Sequence, residues 1–141
     1  MDKISRKKRS ENMRRIKSQN TRPEMIVRRL CHALGYRYRL HQTNLPGKPD
    51  LVFSRRRAVV FVHGCFWHQH PCKDCADSRR PKSNTDFWNT KLDRNVERDA
   101  QTIAGLKEDG WNVLVVWECE TRDVESLKVR LINFLGSVRV S

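Results

Sequence analysis

Residues 62–72 read Val-His-Gly-Cys-Phe-Trp-His-Gln-His-Pro-Cys, three histidines and two cysteines around a Phe-Trp pair. Thiolate and imidazole are the usual ligands of structural zinc, and a histidine is the natural general base near neutral pH. Cys65, His70 and Cys72, joined by the distant Cys119, make a tetrahedral Cys/His set. Cys72-Lys-Asp-Cys75 is a competing pair, so Cys75 can take the place of one of the four. The bland alternative is buried thiols with an incidental histidine. Asp50 follows Pro49 at a strand start, where a carboxylate can hold Mg²⁺ together with phosphate oxygens and water. A phosphate polarised in that way needs a base to deprotonate the attacking water. His68 is the first candidate, because it is not needed for zinc, and His63 is the second. Glu24, in the first turn of its helix, either caps that helix or joins the catalytic carboxylates. Phe66 and Trp67 flank a zinc ligand, where turning both rings into the core is awkward, so they are candidate wedges between stacked bases.

These residues are scattered, and the elements must bring them together. Thr21-Arg-Pro-Glu24 reads as a capping box with Pro in the first turn. The helix it opens carries Ile26, Val27, Leu30, Cys31 and Leu34 and stops at Gly35. Strands are expected at 36–40, at 50–53 and in the apolar run 58–63. A long helix from Thr85 or Asp86 to just before Gly110, a strand at 112–117 and a helix at 124–135 follow. The short turn at 54–57 makes its two strands antiparallel and sets Asp50 opposite Phe61, beside Val62 and His63. The crossover from 58 to 117 should be right-handed with parallel strands, which places Cys65 near Cys119. The expected fold is therefore α/β, a mixed sheet flanked by helices on both faces, with Asp50, His63, Cys65 and Cys119 meeting at one edge. On the long helix, Trp88, Leu92, Val96, Asp99, Ile103 and Leu106 fall on one face. Asp99 in that stripe needs a cation, a donor or a metal's water shell. Trp88 serves either the core or the wedge, and Trp111 and Trp117 are assigned to the core.

The 141 residues fit one domain, with 1–20 as a basic arm and 21–141 as the folded body. The formal net charge is +13, of which residues 1–22 contribute +7. A basic arm on a basic body is the electrostatic footprint of a nucleic-acid binder. Membrane binding is disfavoured, because no apolar face accompanies the N-terminal charge and no run approaches a membrane span. A cytoplasmic location follows, in which five cysteines read as thiols or ligands rather than disulfides.

Arg9-Ser-Glu-Asn-Met13, Leu45-Pro-Gly-Lys-Pro-Asp50, Phe61-Val-His-Gly-Cys-Phe-Trp-His68, Phe87-Trp88, Asn95-Val-Glu-Arg-Asp99 and Val116-Trp-Glu-Cys119 together resemble the very-short-patch repair endonucleases. The match covers about residues 5–120. It implies a restriction-endonuclease-like fold with a structural zinc site, and a Mg²⁺-dependent nick 5′ to the mispaired thymine of a T·G mismatch left by deamination of 5-methylcytosine. By position it implies Asp50 and the backbone carbonyl of Val62 as Mg²⁺ ligands. His68 would be the base, aided by His63 and Asp99, and Cys65, His70, Cys72 and Cys119 would be the zinc ligands. Phe66, Trp67 and Trp88 would enter from the major groove and Met13 from the minor groove, with Lys91 and Asn95 completing the DNA-contacting set. The expected partner is double-stranded DNA carrying a T·G mismatch, bound by a monomer, with room for other mismatch-repair proteins. Two features depart from the family pattern. Val62 stands where the family has threonine, and the basic segment 73–83 carries the extra Cys75. Two competing readings use the same charge and cysteines: a zinc-stabilised DNA-binding protein without catalysis, and a restriction-type nuclease acting on matched duplex.

Overall fold

The computed structural model describes residues 20–72 and 74–136; Met13 and the arm before Asn20 lie outside them. Thr21 caps helix α1 (Arg22–Ala33), its side chain accepting from the Glu24 backbone N–H at 3.4 Å, with Pro23 in the first turn. Gly35, at φ 91°, ends the helix in the left-handed conformation that a residue without Cβ adopts at little strain. The strands are β1 (Arg39–Leu40), β2 (Leu51–Phe53), β3 (Ala58–His63) and β4 (Asn112–Trp117). Helix α2 (Thr85–Glu108) separates β3 from β4, and helix α3 (Val124–Leu135) closes the described chain. The expected strand at 36–40 shrinks to two residues. Tyr36 and Tyr38 send their hydroxyls to the carbonyls of Gly136 (2.6 Å) and Arg28 (3.1 Å), so this segment packs through its side chains before joining the sheet.

The sheet order is β1-β2-β3-β4. β1, β2 and β3 pair antiparallel, while β3 and β4 run parallel, as the helical crossover requires. Leu51 pairs with Val60, so Asp50, one residue earlier, lies beside the end of β3 that carries Val62 and His63. His63 pairs with Trp117, so Cys65 and Cys119 leave neighbouring strands at the same edge.

β2 and β3 are buried nearly throughout, which explains why both read as continuous apolar runs rather than alternating ones. On one face Val27 and Cys31 of α1 and Leu127, Leu131 and Leu135 of α3 pack on Leu51, Phe53, Ala58 and Val60. On the other face Leu106 of α2 covers Val52, Val59 and Phe61, with Leu45 and Trp111 at the margin. The helices thus cover both faces, as expected. One position of the α2 stripe is corrected: Val96 is exposed, and the inward place belongs to Asn95, whose amide donates to the Trp67 carbonyl at 2.9 Å. No described helix is long and apolar enough to cross a membrane.

Candidate active site

The sheet edge opens on a cavity of about 800 Å³ lined by Glu24, His41, Asp50, Val62, His63, Phe66, Trp67, His68, Asn95 and Asp99 among others. Asp50 enters from the turn before β2, and its Oδ2 accepts the Val62 backbone N–H at 2.7 Å. That bond fixes the carboxylate against the end of β3. Burial pushes the Asp50 carboxyl up to about 7; the Val62 N–H opposes this, and the neighbouring Glu24 carboxylate adds to it. Two carboxylates sharing a desolvated corner are a seat for a proton or for a cation, and their hard oxygens suit a divalent one. The turn leading to Asp50 is fixed by Gly47. Its φ is +72°, and a Cβ at that position would run into the Thr102 methyl of α2.

His68 sits on the loop after β3, where its backbone N–H returns to the Gly64 carbonyl at 3.1 Å. Its Nδ1 lies 2.6 Å from Asp99 Oδ2. A carboxylate only accepts, so Nδ1 carries the proton and Nε2 keeps its lone pair for a proton arriving from the cavity. This pairing explains Asp99 on an otherwise apolar face. His63 stacks on His68 at 3.9 Å and 8°. Burial, and then the nearby His68, push His63 down to about 3, so its ring is a neutral plate behind His68. Its Nδ1 is buried without a hydrogen-bond partner.

Behind the cavity, Cys65, His70, Cys75 and Cys119 bring four ligand atoms within 4.8 Å of one another. His70 Nδ1 lies 3.8 Å from Cys65 Sγ and 3.4 Å from Cys119 Sγ. These spacings match the ~3.6 Å edge of a tetrahedron built on zinc–sulfur and zinc–nitrogen bonds. The residues can therefore hold a metal ion. The expected third sulfur was Cys72, but Cys72 is exposed and Cys75 closes the cluster. The Cys75 backbone N–H bonds the Cys72 carbonyl at 3.1 Å. Burial raises the Cys65 and Cys119 thiols. At Cys75 hydrogen bonds from Cys65 and from the Ser78 and Asp77 backbone outweigh burial and lower the thiol.

Arg80 ties this loop to α2, reaching Gln69 at 2.8 Å, Asn89 at 2.9 Å and Asp93 at 2.7 Å. Phe66, Trp67 and Trp88 form one aromatic cluster with centroids 5.0–6.0 Å apart, and Lys91 Nζ lies 5.7 Å from the Trp67 ring centre. All three rings are only half-buried, and Phe66 and Trp67 line the cavity. Glu24 accepts the Asn20 backbone N–H on its carboxylate at 3.3 Å, as a capping residue does, and it also lines the cavity.

Two site residues lie outside the set that the sequence singled out. Trp117 is not core. Its ring stacks on His70 at 4.5 Å and meets His63 edge-on at 5.2 Å, standing between the Cys/His cluster and the base. The signal was its place two residues before Cys119, at the end of β4. His41 points its Nε2 at Glu24 Oε2, 3.0 Å away, and its backbone N–H bonds the Asp50 carbonyl at 3.2 Å. The signal was its position next to β1, since a β1–β2 hairpin returns residue 41 to residue 50.

Residues 1–74 match the family described as DNA mismatch endonuclease Vsr. A Type II nicking enzyme of Xanthomonas oryzae pv. oryzae, V.XorIIP, is 48% identical over 134 residues, covering 95% of this chain and 96% of its own. V.NmeAIP, a Type II nicking enzyme of Neisseria meningitidis, is 42% identical over 94% of this chain and 92% of its own. The DNA mismatch endonuclease Vsr of Escherichia coli is 44% identical over 84% of this chain and 74% of its own. With these relatives the chain is a nuclease, a member of the Vsr family of DNA mismatch endonucleases.

Proposed function

We propose that this endonuclease nicks one strand of duplex DNA on the 5′ side of the mispaired thymine of a T·G mismatch, by Mg²⁺-dependent hydrolysis of the phosphodiester. The observation that carries the reading is the convergence, in one cavity, of Asp50 fixed by the Val62 N–H and of His68 fixed by Asp99. Asp50 and the Val62 carbonyl would hold Mg²⁺, which supplies charge stabilisation at the scissile phosphate. His68 Nε2 takes the proton of the attacking water. Asp99 holds the ring in the tautomer that can accept it and stabilises the imidazolium that forms. His63 packs behind His68, limits its rotation and keeps bulk water off that side of the ring.

Cys65, His70, Cys75 and Cys119 would hold a structural Zn²⁺ that staples the loop, in a restriction-endonuclease-like framework. Phe66 and Trp67 line the cavity with Trp88 packed against them, and the three rings would enter the duplex from the major groove. Base–aromatic stacking, at about 1–3 kcal/mol per base, can offset the unstacking of a weak T·G step. Lys91 lies over the Trp67 ring, where its charge can meet a phosphate. Asn95 acts through the Trp67 carbonyl it holds, as a positioning residue. The basic 1–20 arm with Met13 would approach the minor groove, and the protein would work as a cytoplasmic monomer.

The test is one nicking assay on matched, T·G and other mismatched duplexes with Mg²⁺. The expected result is a single nick on the thymine strand of the T·G duplex, which Asp50→Ala abolishes while binding persists. Equal cutting of matched duplex would replace the mismatch reading with a restriction-type one. Nicking by Asp50→Ala would remove Asp50 from the chemistry.

A further inference from the structure

The cavity holds one more concentrated donor set. Glu24, His41 and Asp50 each offer a ligand atom, and these atoms lie within 4.8 Å of one another. Glu24 is only 2% exposed, and no described Lys or Arg pairs with Asp50. We propose that His41 is a direct nitrogen ligand of the divalent cation that Asp50 binds, with Glu24 as a further oxygen donor, and that the site therefore favours Mn²⁺ over Mg²⁺. This rests on the metal-dependent reading above and deepens it.

Three observations support the assignment. First, His41 Nε2 hydrogen-bonds Glu24 Oε2 at 3.0 Å, and release of that proton on metal binding would leave the two atoms at the ~3.0 Å edge between adjacent ligands of an octahedral ion with bonds near 2.1 Å. Second, the histidine is fixed before any ion arrives. It follows β1 directly, its N–H is bonded to the Asp50 carbonyl at 3.2 Å, and its φ of 47° is a left-handed conformation that a residue with a Cβ adopts only when its surroundings demand it. Third, the carboxylates of Glu24 and Asp50 line one cavity, and although Arg22, Lys48 and Arg98 also line it, no described cation pairs with Asp50. Arg28 reaches Glu24 Oε2 at 3.4 Å from the outer side but does not line the cavity. An imidazole among oxygen donors moves selectivity from Mg²⁺ toward the first-row transition ions.

The experiment uses the zinc-loaded full chain bound to a T·G duplex with a hydrolysis-resistant linkage at the target phosphate. Mn²⁺ is the probe, read by electron spin-echo envelope modulation and by titration against Mg²⁺. The wild type should show the nitrogen modulation of one coordinated imidazole, needing no variant for its detection. The modulation should survive in His63→Gln and vanish in His41→Gln, whose amide can still donate to Glu24. Mn²⁺ affinity in His41→Gln should fall by at least the roughly tenfold that loss of an outer partner already costs, and Mg²⁺ affinity by less. Asp50-dependent Mn²⁺ binding without nitrogen modulation, or modulation that persists in His41→Gln, overturns the assignment of His41. Mn²⁺ binding indifferent to Asp50→Ala overturns the metal assignment under the proposed function instead.

Discussion

Which sulfur closes the Cys/His cluster can be decided by exchanging one atom at a time. In Cys75→Ser the thiolate nearest the cluster is replaced by a hydroxyl, a poor zinc ligand; in Cys72→Ser an exposed thiol outside the cluster is changed. The His70–Cys65 and His70–Cys119 distances of 3.8 and 3.4 Å already fit two edges of a zinc tetrahedron, so a third sulfur has a defined place to fill. Structural zinc binds with about 10–16 kcal/mol in total, hence about 3–4 kcal/mol per ligand if the four share it. Cys75→Ser should then weaken zinc by about two to three orders of magnitude. Because this metal stabilises only the folded loop, the variant should also melt about 10 °C lower, at roughly 2–4 °C per kcal/mol for a chain of this size. Cys72→Ser should match the wild type in both. The assay is zinc content after dialysis against chelators of graded strength, with thermal melts alongside. Loss of zinc in Cys72→Ser and retention in Cys75→Ser would refute the placement of the 72–75 turn. Retention in both would mean the cluster does not hold the metal.

Asp99→Asn should lower single-turnover nicking by about 10²–10⁴-fold, because an amide no longer fixes His68 as an acceptor at Nε2, while duplex affinity stays unchanged; a loss of affinity of similar size would make Asp99 a DNA-binding residue instead. Tyr36→Phe removes the 2.6 Å bond to the Gly136 carbonyl and should cost about 1–3 kcal/mol in urea unfolding, since it leaves a part-buried acceptor unpaired. Burial pushes Cys31 from 9.0 up to about 12, so the folded state keeps the thiol protonated. The sign follows from that: between pH 9 and 12 the unfolded chain loses the proton and the native one does not, so this residue's contribution is present below pH 9 and lost as pH rises. Denaturant unfolding of the wild type should fall with pH more steeply than that of Cys31→Ala, by up to about 1.4 kcal/mol per pH unit; equal slopes would show that the thiol ionises freely in the fold.

Much of this frame was legible in the residues because local signals and topology agreed. The capping box at Thr21, the apolar runs at 58–63 and 112–117 and the parallel crossover sufficed to place Cys65 beside Cys119 and Asp50 beside Val62. What stayed hidden depends on contacts that no period encodes. Val96 reads as part of an apolar stripe, but the inward place went to Asn95 because a polar group was needed to hold the Trp67 carbonyl. Trp117 reads as core by type, yet its ring has an imidazole on each side. The choice between Cys72 and Cys75 rests on one short turn. His41 was concealed by a two-residue strand too brief to announce the hairpin that delivers it.

The place of Trp117 shows why one loop can serve three purposes. His70 of the Cys/His cluster stacks on Trp117, Trp117 meets His63, His63 stacks on His68, and His68 bonds Asp99 of α2. Each member of that row is held from both sides, so His68 is located by packing as much as by its carboxylate partner. Under the proposed function the same loop would also let Phe66 and Trp67 meet DNA, which needs surface, whereas orienting a base needs burial. The fold separates the two demands by direction: the histidines face inward along the sheet edge, and the wedge rings face Trp88 and Lys91 of α2. Asn95 joins the two halves, since the carbonyl it holds belongs to Trp67, whose peptide bond leads directly to His68.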